Sequence, residues 1–371
     1  MSQSVTEKSR AKRFTPLGIV FAVLGVILFA YFVKKTGVAQ IIEGIKRLGA
    51  GFLLILAVST IRPLVRAKAW TWSFEAPYRL PFRDALSAYV TGDALGTLMP
   101  LGIIVSEPAK AALVRERVPL MAGLSAIAIE NLFYSLSVAL FIFSGTAALL
   151  LSFPLPKPLW YASTCALVGV VIILFIAYLF IRQQWKFASG LLEHLYVRGI
   201  GRHILETKRG RVSAIEDRVY GFYERNRARF LPILLLEAGF HLAGVVEIYI
   251  TLYFISDTRP TLLAAFILES VNRVINVVFK FVPLRVGVDE AGTGLITKVL
   301  QLGTTSGVTL AIIRKARVIC WAALGVALLV RRGLSVRAVA EEAEATIARE
   351  TTQEKREEGP TSTVIAGGKS R

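Results

Sequence analysis

Cysteine and histidine are scarce, with two and three copies among 371 residues. Cys165 and Cys320 both lie in apolar runs, which excludes a disulfide framework and a CxxC metal site. The three histidines argue against His-rich metal catalysis, and no cofactor is expected. Charge is also thin: 19% of residues are charged, 54% are hydrophobic, and the mean hydropathy is +0.58. That balance excludes a disordered chain and a soluble nucleic-acid-binding module, and identifies a membrane protein. The charge that remains is lopsided, with 44 Lys+Arg against 26 Asp+Glu giving +18. In a membrane chain such an excess collects in short cytoplasmic loops.

No small-residue cleavage site follows the apolar run Leu17 to Val33. Lys34 and Lys35 stand there instead, so the run is expected to be a retained spanning helix. Lys8, Arg10, Lys12 and Arg13 precede it, which puts residues 1–16 in the cytoplasm and the amphipathic stretch Gly37 to Gly49 outside. Further apolar stretches at Gly51 to Ala69, Leu120 to Ser152, Trp160 to Ile181, Leu231 to Ile255 and Ser306 to Val330 bring the expected spans to six. The basic, aromatic-bearing segment 182–229 is expected on the anionic cytoplasmic surface. Arg331 and Arg332 close the last span on the inside, ahead of a mixed-charge tail, 333–371, whose composition predicts disorder.

Two other apolar regions, Ala85 to Leu113 and Leu262 to Leu302, are interrupted near their middles by Pro and Gly. Each is predicted to be a broken, re-entrant helix hairpin. The first opens to the cytoplasm after Arg79 and Arg83, and the second to the outside after Thr258 to Pro260. The interruptions resemble one another. Pro100-Leu101-Gly102-Ile103-Ile104-Val105-Ser106-Glu107 aligns without gaps on Pro283-Leu284-Arg285-Val286-Gly287-Val288-Asp289-Glu290, and the same offset pairs Asp93 with Asn276. The chain then reads as two copies, 51–152 and 231–330, of a span, a broken hairpin and a span. Their opposite insertion makes an inverted repeat of the kind that recurs in secondary transporters. Helix breaks at membrane depth leave backbone groups unpaired and are tolerated only when covered by protein or facing a wet cavity, so a polar cavity near the midplane is expected. An unusual number of charges within the apolar regions agrees with this, since each costs on the order of 2.5 to 3.5 kcal/mol at a bilayer centre.

These features resemble a known group, the flippase-like membrane domain found in bacterial lysylphosphatidylglycerol synthases and in free-standing relatives. The residues that carry the likeness are Ser59-Thr60-Ile61-Arg62-Pro63, the segment Pro100 to Lys110, Glu130-Asn131, and Pro283 to Gly292 with the downstream Gly303. The likeness covers roughly Leu17 to Arg332. It implies a polytopic inner-membrane protein, all α-helical, that moves an amphipathic lipid between leaflets. Only the short tail follows the final span, so the aminoacyl-transferase activity of the fused synthases is not expected here. The group also implies a glycine-rich turn after the first proline. This chain has Ile103-Ile104-Val105, and a less tightly turned first hairpin is expected.

The candidate substrate-binding residues are Arg62, Asp93, Glu107, Lys110, Glu130, Arg273, Asn276, Arg285, Glu290 and Arg314. Glu107 and Glu290 sit just past the breaks and admit two readings: each caps the following half-helix, or each break joins Lys110 or Arg285 in an anion pocket for a lipid phosphate. Arg62, Arg273 and Arg314 are expected to recognise a headgroup or to pair with Asp93, Glu107, Glu130 or Glu269, while Arg66 is expected to snorkel to the interface. Glu237 and His241 have the i, i+4 spacing of a metal pair but lack further ligands, which favours a hydrogen bond between them. Gly287, Gly292 and Gly294 have no nucleotide-loop context and are read as permitting the break and close packing. The resulting expectation is a lipid transporter or flippase whose partners are membrane lipids with an anionic headgroup, not nucleic acid. A membrane-embedded enzyme acting on a lipid phosphate or ester, with Glu107, Glu130 and Glu290 as acids or bases, is the alternative. So is a non-transporting partner of a cell-envelope enzyme.

Overall fold

The computed structural model describes residues 38–98, 102–183, 216–222, 224–280 and 285–331, together with positions 190, 194, 197, 198, 213 and 282. The expected span at Leu17 to Val33, the prolines Pro100 and Pro283, most of the basic segment and the tail lie outside the described residues. Among those described, the chain is helical without strands. The order is α1 (Val38–Leu48), α2 (Gly51–Ser59), α3 (Ile61–Trp72), α4 (Phe82–Leu98), α5 (Gly102–Leu113), α6 (Leu120–Ser152), α7 (Lys157–Gln183), α8 (Arg227–Ile255), α9 (Leu262–Val278), α10 (Val288–Val299) and α11 (Thr304–Arg331).

Local chemistry sets several boundaries. α6 follows Pro119 and stops before Pro154, residues whose fixed φ suits helix entry and exit. The Thr261 hydroxyl accepts the Ala264 N–H at 3.1 Å and caps α9. Before α10 the backbone passes through positive φ at Arg285 (47°) and Gly287 (83°), and the Glu290 carboxylate accepts the Gly287 N–H at 2.7 Å. At the first break Ile103 to Val105 form the first turn of α5; the turn between α4 and α5, at positions 99–101, lies outside the described residues.

Among the described residues, three helices are long and apolar enough to cross a membrane: α6, α8 and Lys157–Leu179 of α7. The pair Ile42–Leu48 and Gly51–Trp72, bent by 76°, makes a fourth if taken as one span. Of the six expected spans, Leu17 to Val33 lies outside the described residues and Ser306 to Val330 falls short of this measure. α11 has the length, at 28 residues or about 42 Å, but Arg314, Lys315 and Arg317 dilute its apolar character. The helices α4 and α9 have 17 residues each, and α5 and α10 have 12 each. At 1.5 Å per residue they are about 25 and 18 Å long, short of a hydrocarbon core of about 30 Å.

α3 and α8 pack antiparallel at the centre. Arg66 meets Glu237, Val65 meets Gly239 and Arg62 meets Glu247, and Gly51 of α2 carries the contact on to Phe254. α5 folds back on α4, where Gly92 lies against Lys110, and α10 folds back on α9, where Gly292 lies against Ile275. α4 then packs on α11 and α9 on α6. One apolar cluster, containing Ile248, Leu252, Ile267, Leu268 and Leu310, joins α8, α9 and α11, and a second joins α3, α4 and α5 around Trp70. The interior between them is charged.

Candidate functional site

Arg62 and Arg66 lie one turn apart on α3, and each anchors an ionic network. Arg62 donates to Glu269 at 3.0 Å and stands 3.6 Å from Glu247. Arg273, four residues after Glu269 on α9, donates from Nε to the same carboxylate oxygen at 3.1 Å and again from Nη2. Asn272 donates to the other oxygen at 3.2 Å. Glu247 accepts from Arg317 on α11 at 2.5 Å. The Phe240 ring lies 5.0 Å from both the Arg62 and Arg273 guanidinium carbons, so its negative face supports two neighbouring cations.

The second network centres on Arg66, which is 4% exposed and does not snorkel. It donates to Glu130 at 2.9 Å and to Asn131 at 3.2 Å, and its guanidinium carbon lies 3.8 Å from the Tyr134 ring centroid. With Tyr89 of α4 at 5.6 Å and Glu237 of α8 at 3.6 Å, partners from three helices hold this side chain inward. Lys110 is almost fully buried, 2.8 Å from Asp93 and 3.2 Å from Glu107, with the Tyr89 ring 4.0 Å away.

Near α10, Lys315 donates to Glu290 at 2.6 Å, and Asp289 lies 3.4 Å from both Lys315 and Arg285. Glu290 therefore caps its helix and pairs with a lysine. Glu107, which starts from the second turn of α5, pairs with Lys110. Asn276 Oδ1 is buried without a partner. Arg314 is 7% exposed, and none of its three nitrogens has a hydrogen-bond partner among the described residues. Glu237 and His241 do not hydrogen-bond to each other. The His241 ring stacks on Phe141, at 4.7 Å, and on Tyr134, at 6.0 Å, and neither of its nitrogens has a hydrogen-bond partner among the described residues.

The two networks flank a cavity of about 210 Å³ between α3, α4, α8 and α11. Arg62, Arg317 and Asp93 supply its charges, and Tyr89, Phe240 and Trp321 its aromatic walls. Asp93 is half exposed, and the Trp321 indole donates to Ser59 across the cavity at 2.8 Å. Of the sequence candidates, Arg62 and Asp93 line this space, Lys110 and Glu107 back it through Asp93, and Glu130 and Arg273 lie in the adjoining networks. Arg285 and Glu290 belong to the separate cluster at Lys315. Sequence reasoning missed Arg317, Lys315 and Trp321. The only signal for them was the run of charge and aromatic residues from Arg314 to Trp321 inside an apolar helix.

Two cations in a cavity with aromatic walls suit the phosphate and glycerol region of an amphiphile. Among the described residues, no group of three or more His, Cys, Asp or Glu side chains is placed to hold a metal ion. Residues 17–334 match the family described as the lysylphosphatidylglycerol synthase TM region. The chain belongs to this family. Membership places it among membrane proteins related to lipid handling. No curated protein and no solved structure matches the chain.

Proposed function

We propose that this member of the lysylphosphatidylglycerol synthase TM region family is a flippase, moving a phospholipid or similar amphipathic lipid between leaflets of a bacterial inner membrane. The observation that carries the reading is the cavity between α3, α4, α8 and α11, which takes Arg62 and Asp93 from the first copy and Arg317 and Phe240 from the second. An inverted repeat is supported by three features. The hairpin helices match in length, 17 and 12 residues in each copy. The leading helices α3 and α8 run antiparallel, as inversion requires. The packing is reciprocal: the first hairpin helix of each copy lies against the last helix of the other, α4 on α11 and α9 on α6.

In this reading the hairpins enter from opposite faces, and the lipid headgroup crosses between them while its tails stay in the hydrocarbon. Arg62 and Arg317 take the phosphate from their carboxylate partners, and Asp93 faces the emerging or entering solvent. Arg62, Arg273 and Arg317 are three cations around two carboxylates, Glu247 and Glu269, so an entering phosphate meets a surplus of positive charge. The interior need not open as bare charge in oil.

The test is reconstitution of the full chain in vesicles of phosphatidylethanolamine and phosphatidylglycerol carrying a labelled phosphatidylglycerol. Leaflet exchange should exceed that of empty vesicles, and Arg317→Gln should slow it roughly tenfold or more, the effect of losing one charge-assisted contact of about 1.5–3 kcal/mol. Exchange indistinguishable from empty vesicles across neutral, zwitterionic and anionic headgroups would defeat the proposal.

A further inference from the structure

Glu237 occupies an unusual position. It is fully buried, and neither carboxylate oxygen accepts a hydrogen bond from any described group. The nearest cation is Arg66, with 3.6 Å between Nε and Oε2, too far and too poorly aligned for a hydrogen bond. Arg66 is already bonded to Glu130 and Asn131. The other carboxyl at this guanidinium is Glu130 of α6, which approaches the same Arg66 Nε that Glu237 faces. Two carboxylates cannot bond to one another unless one of them supplies a proton.

Among the described residues, the surroundings offer no second positive charge that is not already engaged. From α3 only Arg66 faces the pair, and from α6 Tyr134 and Asn131 adjoin it. Lys110 on α5 is committed to Asp93 and Glu107, two carboxylates for one ammonium, with neutral Tyr89 of α4 between Lys110 and Arg66. On α8 itself His241 stacks on two rings, and beyond it Glu269 and Arg273 of α9 pair with each other. Arg317 of α11 is spent on Glu247, more than two turns away along α8. The neighbourhood of Arg66 and Lys110 thus holds four carboxylates against two cations. Like-charged carboxyls sharing a buried site retain a proton between them.

We propose that Glu130 and Glu237 form a proton-binding site, holding one proton shared between their carboxyl oxygens, and that its loading and unloading drives lipid movement. The coupling rests on the flippase reading above, whereas the proton site itself does not. The physical link is α3, where Arg66 at the dyad and Arg62 at the cavity are one turn apart. When the proton leaves for water, Glu237 becomes an anion that competes for Arg66. A shift of α3 toward α8 then changes the position of Arg62 at the cavity. When a proton returns to a carboxylate oxygen, the demand on Arg66 falls and the helix relaxes. Glu107, a quarter exposed, together with the half-exposed Asp93, leads from the cavity mouth toward Glu130 and provides the route for the proton.

Two measurements on the full chain test this. The first is difference infrared spectroscopy of the protein in vesicles of phosphatidylethanolamine and phosphatidylglycerol. A carboxylic-acid carbonyl band is expected at neutral pH, bleached on alkalinisation and absent in both Glu237→Gln and Glu130→Gln. A wild-type protein with no such band has both carboxylates ionised, which overturns the proposal whether or not either variant folds. The second is movement of labelled phosphatidylglycerol under a pH gradient. With one proton per lipid, accumulation toward one leaflet should reach up to about tenfold per pH unit. Glu237→Gln should abolish this gradient dependence. Lipid exchange that ignores the gradient overturns the coupling. No lipid movement under any gradient, with the band present, removes the flippase reading and its coupling and leaves the proton site standing.

Discussion

At the scale of single residues, a side chain's worth here depends on who shares it. Glu269 is approached by Arg62, Arg273 and Asn272, and is completely buried. Removing one partner of such a group leaves uncompensated charge in a medium that cannot solvate it. Glu269→Ala is therefore expected to destabilise the protein by about 3–5 kcal/mol, seen as a large drop in the thermal unfolding midpoint in detergent. Arg47 bonds to Glu43 and Asp257 at 2.7 and 2.6 Å, distances as good as those in the interior. All three are exposed to water, so Arg47→Ala should leave the midpoint essentially unchanged in the same assay. The sequence offered Glu269 as one of four possible partners of Arg62, and the structure chose it; because Glu269 lies 207 positions away, no local pattern could make that choice. Arg66 was misjudged for a related reason. Snorkelling assumes a helix end with nothing to bind, and three carboxylate- or amide-bearing neighbours arrived from other helices.

At the scale of elements, small residues set how closely the short helices approach the long ones. A Cβ placed on Gly307 of α11 would come within 2.7 Å of the Gly294 Cα and the Thr293 carbonyl of α10. Both are backbone and cannot yield. Gly307→Ala should separate α10 from α11 and cost about 1–3 kcal/mol. Gly169, with nothing within 4 Å of its Cβ position, is the control and should tolerate alanine without loss. Melting curves of the two variants side by side decide the point. The broken regions were legible in sequence because Pro and Gly act on their own backbone, independent of partners. The exact turns were less so. Ile103 to Val105 entered α5 as helix, since nothing in those residues opposes helical φ and ψ once α5 packs on α4. The second break runs as expected through Arg285 and Gly287, where the positive φ suits the glycine.

At the scale of the whole molecule, the antiparallel contact of α3 with α8 and the reciprocal packing of the hairpins make orientation the property to test. With Cys165 and Cys320, both exposed, replaced by serine, single cysteines at Arg83 and Thr258 stand at the mouths of the two hairpins. Membrane-impermeant reagents should label the first only from the cytoplasmic face and the second only from the outer face. Labelling of both from one side would rule out inversion. The sequence by itself determined that this is a membrane protein, that two apolar regions are interrupted, and that charges of both signs accompany them. Those follow from hydropathy and from the intrinsic conformations of Pro and Gly, which act residue by residue. Only the tertiary structure decided that Arg317 joins Arg62 at a shared cavity, that Glu290 is consumed by its own helix and Lys315, and that Glu237 and Glu130 share Arg66. Electrostatics in a low-dielectric interior depends on distances of a few ångströms between segments far apart in the chain, and such distances exist only once the helices have packed.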